Sequence, residues 1–149
     1  MKITDIRVSH FKNPLGFELS KPVLSWSADG EGAKKALSWK VEVSLDEDFN
    51  KKVLDSGFDC SIDSAAYALE IDLAPRTRYY VRVTCLNDLG EVAVSDTAWF
   101  ETSKLTEQWR GKWITPSDEN VNHPIVRKVF EVKKPVKSAR VYILSLIHI

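Results

Sequence analysis

The densest carboxylate group in the sequence is the run Asp46-Glu47-Asp48, and a second pair, Asp118-Glu119, lies in a polar stretch. Two carboxyl groups held about 5 to 9.5 Å apart across a cleft can break a glycosidic bond by acid–base chemistry. The first run directly follows a predicted strand, where acidic side chains commonly accept hydrogen bonds from turn backbone. We therefore expect both groups to be structural, and we predict no catalytic residue in this chain.

Histidine and cysteine do not occur at metal-binding spacing. His10, His123 and His148 are scattered along the chain, and Cys60 and Cys85 do not form a C-x-x-C pair. The sequence has neither a G-x-S-x-G turn that would frame a nucleophile nor a glycine-rich phosphate loop. We expect both cysteines to be free thiols, with Cys85 in the core, and we predict no metal and no cofactor.

The five tryptophans are the remaining candidates for binding, because an exposed aromatic face can stack on a sugar ring. Trp26 and Trp39 lie in apolar alternation and are predicted to be in the core. Trp99 is out of phase with its apolar neighbours, which favours the outer face of a sheet, and Trp109 and Trp113 flank a polar linker. For these last three we expect inter-domain packing, with glycan contact as the alternative.

Composition describes an ordinary globular chain. Its 149 residues suffice for one small domain plus part of another, and its 21 basic residues equal its 21 acidic ones. Without a net positive charge we expect neither nucleic acid nor an anionic membrane as a partner. The start of the chain has no apolar signal-peptide core, so a cytoplasmic location is the default expectation, although a leader could have been removed.

Strand-period alternation dominates the first hundred residues, and turn residues separate the segments, which is typical of an all-β sandwich or barrel. The clearest run places Trp39, Val41, Val43 and Leu45 on one face, with polar residues between them. Further apolar alternation is found at 6–8, 24–26, 69–73, 79–85 and 98–100. We predict seven strands over about 100 residues, the number found in immunoglobulin-like sandwiches.

One segment makes this fold prediction more specific. Residues 73–83, with the sequence LAPRTRYYVRV, resemble the Leu-x-Pro-x-Thr-x-Tyr-x-Val-x-Val stretch of fibronectin type III domains. In those domains the tyrosine hydroxyl bonds to nearby backbone at the corner between the sheets, and the equivalent here is Tyr79. Trp26 matches the buried tryptophan of the second strand in that family.

The order of several motifs carries a further resemblance. Residues 13–16 (NPLG) are followed by 21–26 (KPVLSW), the tyrosine-corner segment, 109–114 (WRGKWI) and 127–130 (RKVF). This order is similar to the N-terminus of bacterial α-L-rhamnosidases. The resemblance implies a fibronectin-like domain, then a jelly-roll domain, and a distant helical catalytic barrel. The catalytic acids of such enzymes belong to that barrel, so none is expected here.

The last third of the chain has a different pattern. Residues 104–108 are interpreted as a linker after a sandwich at 1–103, and 109–149 as the truncated start of a jelly-roll domain. Apolar alternation predicts strands within 109–114, 124–132 and 136–143, too few to bury a sheet face. The tail 144–149 departs from the rhamnosidase pattern and is interpreted as read-through rather than native sequence.

These observations favour a non-catalytic N-terminal accessory fragment of an α-L-rhamnosidase-like hydrolase, whose partners would be the remaining domains of the parent protein. The alternative is a stand-alone sandwich that binds carbohydrate or protein through an exposed sheet face. A cell-surface array would require internal repeats, and none occurs at this length.

Overall fold

The computed structural model describes residues 1–30, 35–117 and 125–143, and it divides into two compact units, Met1–Trp109 and Arg110–Ile149. The described residues contain nine strands, all in the first unit, and no helix. In chain order the strands are β1 (Lys2–Val8), β2 (Leu15–Phe17), β3 (Val23–Asp29), β4 (Ala36–Ser44), β5 (Lys52–Asp55), β6 (Tyr67–Ala68), β7 (Arg78–Asn87), β8 (Val92–Val94) and β9 (Ala98–Thr102).

The strands form two sheets. The smaller sheet has the order β1-β3-β6 and is antiparallel throughout. The larger has the order β2-β9-β7-β4-β5, with β8 also paired to β7, and only its β2–β9 pair is parallel. The long pair β4–β7 forms the centre of this sheet, where Trp39 lies opposite Cys85 and Val43 opposite Val81. The architecture is the two-sheet, all-β sandwich predicted from the alternation.

A single hydrophobic core lies between the sheets. Leu24 and Val8 of the smaller sheet are fully buried, as are alternate residues of β4, β7 and β9. Trp26 and Trp39 meet edge-to-face with ring centroids 5.4 Å apart, so their predicted core positions are confirmed. Both cysteines are free as predicted: Cys60 is exposed, whereas Cys85 is buried with its Sγ 3.3 Å from the Sδ of Met1.

Tyr79 connects the core to the corner that precedes β7. Its ring is buried and stacks on Phe100 with centroids 5.1 Å apart, and the backbone N–H of Ala74 donates a 2.8 Å hydrogen bond to its hydroxyl. The hydroxyl of Thr102 donates to the carbonyl of Ala74 and accepts from the backbone N–H of Thr77. The corner is therefore fixed from two sides, in the arrangement that the sequence motif predicts.

Tyr79→Phe is expected to lower the free energy of unfolding by about 1–2 kcal/mol, because the N–H of Ala74 loses its partner while the ring still fills the core. Urea unfolding measures the difference. The matched control is Tyr80→Phe, since this tyrosine faces away from the core and is expected to change stability by less than about 0.5 kcal/mol. Equal effects of the two substitutions would contradict the corner role.

Several local predictions need correction. The short strands β2, which includes residues 15–16 of the NPLG motif, β5 and β8 are not predicted by the alternation. The strand expected at 69–73 is wrong, because only Tyr67–Ala68 pairs with β3 before the chain turns into the corner. Leu45 does not share the buried face of β4, which ends at Ser44, and its side chain is exposed.

The segment expected as a linker lies within the first unit. Arg76 forms a 2.8 Å ion pair with Glu107, whose backbone N–H donates to the carbonyl of Lys104. The ammonium group of Lys104 lies over the ring of Trp109, 5.4 Å from its centroid. The Arg76–Glu107 ion pair therefore attaches this segment to the sandwich, whereas the other two contacts lie within the segment.

Described by itself, the second unit contains no strand in residues 110–117 and 125–143. The strands predicted there are therefore not formed in these residues. Most apolar side chains of the segment are exposed, from Ile125 at 97% to Val132 at 54%. A strand is stable only when a neighbour takes up its backbone hydrogen bonds and covers its apolar face. The tail 144–149 lies outside the described residues.

Candidate functional site

The acidic run that follows β4 is a turn cap. Asp46 accepts hydrogen bonds from the hydroxyl of Ser44 at 2.7 Å and from the backbone N–H groups of Asn50 and Lys51. The hydrogen bond from Ser44 is the main cause that lowers the pKa of Asp46, and the backbone donors add to it. The structural role expected for this carboxylate is confirmed.

Most of the other polar candidates are not brought together. Asp118, Glu119, His123 and His148 lie outside the described residues, and His10 is exposed on a loop. Among the residues that the structure describes, no three His, Cys, Asp or Glu side chains are placed to hold a metal ion. In the same part of the chain, no helix has the length and apolar character needed to cross a membrane.

An open polar cleft lies between β1 and the start of β9, and its lining includes the carboxylates Asp5 and Asp96. Asp5 is ion-paired to Arg7, at 2.8 Å, and to Lys12. The hydrogen bond from Arg7, followed by that from Lys12, lowers the pKa of Asp5 to about 2. Both carboxylate oxygens of Asp5 are therefore engaged in ion pairs that hold the 9–13 loop against β1.

The outer face of the larger sheet carries an ion-pair cluster centred on Glu42, which is only 3% exposed. Its carboxylate accepts from Lys52 at 2.7 Å, from Arg82 at 2.8 Å and from Lys40 at 3.1 Å. Asp55 of β5 pairs with the same two lysines. Burial alone would raise the pKa of Glu42, but the three cationic donors outweigh it, so the pKa is lowered.

Glu42→Gln is expected to lower the free energy of unfolding at neutral pH by about 1–2 kcal/mol. The loss is no larger because the three cationic partners are partly exposed to solvent, which screens their attraction to Glu42. A carboxyl group with a lowered folded-state pKa stabilises the fold above its unfolded pKa and loses this contribution as pH falls. The deficit of the variant should therefore shrink between about pH 5 and pH 3 in urea unfolding. The control is Glu47→Gln in the exposed turn; a pH-independent deficit for Glu42→Gln would be inconsistent with this origin.

The three tryptophans singled out by sequence occupy different environments. Trp99 lies on the outer face beside Tyr80, and the Arg78 guanidinium covers one face of its indole, 4.0 Å from the ring centroid. Trp109 closes the first unit and is half exposed, whereas Trp113 belongs to the second unit and is largely exposed. Within the first unit, Trp99 and Trp109 therefore have different surroundings, and Trp113 is described with the second unit alone.

Two features of this surface were not predicted from the sequence. The pairing of Glu42 with Arg82 depends on the β4–β7 register, although both positions are recognisable as outward-facing. The second feature is the stacking of Phe11 on Phe17, with ring centroids 4.7 Å apart. A usable signal was present there, because 11–17 is a turn-rich segment with three large apolar residues that alternation does not assign to the core.

The first unit is thus an Ig-like sandwich with a salt-bridged outer face and an open polar cleft in which Asp5 is held by ion pairs. Residues 3–106 match the family model of the N-terminal immunoglobulin domain of Rha78A-like proteins. The chain belongs to this family. The chain is similar to part of an α-L-rhamnosidase of Formosa agariphila, at 30% identity over 153 residues. That match covers 91% of this chain and 16% of the relative.

Solved structures agree with this assignment. The crystal structure of Streptomyces avermitilis α-L-rhamnosidase in complex with L-rhamnose matches with a TM-score of 0.69 and 30% identity, over 76% of this chain and 12% of that one. A human fibronectin type III domain, from fibronectin type III domain containing protein 3, matches with a TM-score of 0.54 and 15% identity, over 74% of this chain and 92% of that one. The second similarity concerns the fold alone.

Proposed function

We propose that this Ig-like domain is a non-catalytic accessory region of a longer α-L-rhamnosidase, which removes terminal α-L-rhamnose from glycosides. The observation that carries the proposal is the family match over 3–106, joined to relatives of which the chain spans only 16% and 12%. Asp46 caps a turn and Asp5 is held in ion pairs, so both carboxylates have structural contacts in this domain.

The residues after Trp109 are proposed to begin the next β domain of the parent protein, a jelly-roll. Their apolar alternation is typical of strands, and their side chains are exposed in this chain, as expected where the partner strands of a sheet are missing. In this proposal the principal partners of the Ig-like domain are the remaining domains of the same polypeptide.

Trp99, Trp109 and Trp113 are proposed to pack at such inter-domain contacts. Tryptophan and arginine are both enriched in the buried centres of interfaces, and Arg78 already stacks on Trp99. Because this stacking occupies one face of the indole, it disfavours the alternative in which Trp99 stacks on a sugar ring. Saturable binding of a rhamnose-containing oligosaccharide that is lost in Trp99→Ala would favour that alternative, and a flat titration would exclude it.

The purified 149-residue chain is expected to release no rhamnose from an aryl α-L-rhamnoside above the buffer rate, whereas the full-length parent protein hydrolyses it. Release of the aryl group is measured by absorbance under matched conditions. Activity of the short chain that persists through further purification would contradict the accessory role, and an inactive full-length protein would contradict the assignment of the parent.

A further inference from the structure

Three large apolar side chains of the segment 11–17 face solvent. Phe11 is 49% exposed, Leu15 is 50% exposed and Phe17 is 44% exposed, and the two phenylalanine rings stack on each other. We refer to these three residues as the aromatic patch. Single exposed apolar residues are ordinary on protein surfaces, but a group of three in one short segment is a feature typical of interaction sites.

The backbone that presents Phe11 is held in an unfavourable conformation. Ser9, His10 and Asn13 have φ angles of 47°, 72° and 45°, in the left-handed region, which histidine and asparagine adopt more readily than other side chains but serine adopts rarely. Such strain persists only where the surroundings impose it, and it concentrates at functional segments. The strained loop exposes the Phe11 side chain to solvent. This exposure does not stabilise the isolated domain.

Hydrogen bonds at both ends of the loop hold this conformation. The backbone N–H of Ser9 donates to the carbonyl of Val23 at 2.7 Å, and the Arg7 guanidinium donates to the carbonyl of His10 at 3.2 Å. At the far end of the loop, the side-chain oxygen of Asn13 accepts from the backbone N–H of Trp99 at 3.0 Å. The aromatic patch is therefore organised before any partner binds, which lowers the entropy lost on binding.

The aromatic patch also lies at an open sheet edge. β2, which carries Leu15 and Phe17, pairs with β9 on one side and is the last strand of its sheet on the other, among the described residues. Proteins usually protect such edges with charged residues, proline or a covering segment. β2 is only three residues long and follows Pro14, which limits further strand pairing at this edge, so the exposed side chains of Leu15 and Phe17 are what a neighbouring polypeptide would cover.

The position of the patch indicates which polypeptide this is. The backbone N–H of Ser103, the first residue after β9, donates a 3.0 Å hydrogen bond to the carbonyl of Phe17. The patch therefore adjoins the point where the chain leaves its last strand. Most of each rhamnosidase relative lies outside the matched N-terminal region, so a long polypeptide follows this point in the parent protein.

We infer that the aromatic patch is the docking surface for the folded domain that comes next in the parent protein. This inference rests on the proposed function, because it requires a longer polypeptide. Attachment next to the patch gives the following domain a high effective concentration there, so a modest apolar contact suffices. Inter-domain contacts within one chain are commonly small, burying about 600–1,500 Å².

Hydrogen–deuterium exchange tests the inference by comparing the full-length parent protein with the 149-residue chain. Amides of 11–17 are expected to exchange at least tenfold more slowly in the parent protein, because a packed neighbour covers them. The double variant Phe11→Ser/Phe17→Ser should abolish this protection. The matched control is Val92→Ser/Val94→Ser, which alters an equally exposed apolar pair on β8 and should leave the protection of 11–17 intact.

Equal exchange in the two proteins, or equal loss of protection in both double variants, would overturn the inference. Concentration-dependent dimers of the 149-residue chain that disappear in Phe17→Ser, with no protection in the parent protein, would assign the patch to a second copy instead. Protection that appears only on adding a rhamnose-containing oligosaccharide would assign it to glycan. Protection in a parent protein without rhamnosidase activity would retain the docking surface and reject the proposed function alone.

Discussion

Phe100→Ala is expected to lower the free energy of unfolding by about 3–5 kcal/mol, the largest effect of a single substitution considered for this chain. Phe100 is fully buried in β9 and stacks on Tyr79, so its removal leaves a cavity in the core and an uncovered face on the corner tyrosine. Urea or thermal unfolding, followed by tryptophan fluorescence, measures the loss.

Two further variants make this test specific. Phe100→Leu retains most of the volume and should cost less than about 1.5 kcal/mol, which keeps the comparison informative if the alanine variant does not fold. Phe58→Ala removes a ring of equal size from an exposed loop position and should change stability by less than about 0.5 kcal/mol. Similar losses for Phe58→Ala and Phe100→Ala would show that the sandwich core is placed incorrectly.

Removal of residues 110–149 is expected to raise the soluble concentration of the protein at least several-fold. The segment exposes β-branched and aromatic side chains, including Ile125, Val129, Phe130 and Val141, and such segments associate with one another in water. The core and both sheets lie within Met1–Trp109, so the shorter chain retains every described strand. The difference is measured in two ways at matched concentration: by light scattering, and by the amount of protein that remains in the supernatant.

A variant of the full 149-residue chain separates exposed apolar surface from chain length as the cause. Val129→Glu/Val141→Lys adds one charge of each sign to the segment and should recover part of the solubility without a deletion. Equal solubility of the 149-residue chain and the fragment 1–109 would contradict the prediction. No recovery in the charged variant would show that the exposed apolar side chains are not responsible.

The central strands were predictable because their pattern is local. Val41 and Val43 alternate with polar residues over a long run, as do Val81 and Val83, and one face of each strand is buried. Tyr79 was predictable for a different reason, since its motif fixes both the residue type and its distance from Pro75. Where the residues that determine an element lie within about ten positions of one another, the sequence is sufficient to predict that element.

The short strands were not predictable, because their existence depends on distant partners. β2 has three residues and is defined by its pairing with β9, almost ninety residues later in the chain. Conversely, Leu69 continues the apolar alternation and its backbone N–H bonds to the carbonyl of Pro22, the next residue in the β3–β6 register, but the ladder ends there because proline has no N–H to donate in return. Alternation cannot distinguish these cases, because both place an apolar residue at every second position.

The surface features required tertiary information. Glu42 was recognisable as outward-facing, but its burial follows from the three cationic side chains that three different strands place around it. The exposure of Phe11 results from a strained loop whose anchors are far apart in sequence, at Val23 and Trp99. In both cases the residue type suggests one environment, and contacts across the fold produce another.

The contacts of residues 104–109 determine the length of flexible chain between the sandwich and any polypeptide that follows. If residues 104–109 were free, these six residues at about 3.4 Å each would give roughly 20 Å of flexible tether before the next domain. The Arg76–Glu107 ion pair attaches this stretch to the sandwich, and the contact of the Lys104 ammonium with the ring of Trp109 draws the two ends of the stretch together. Loosening it by Glu107→Ala would lengthen the tether without changing the number of residues.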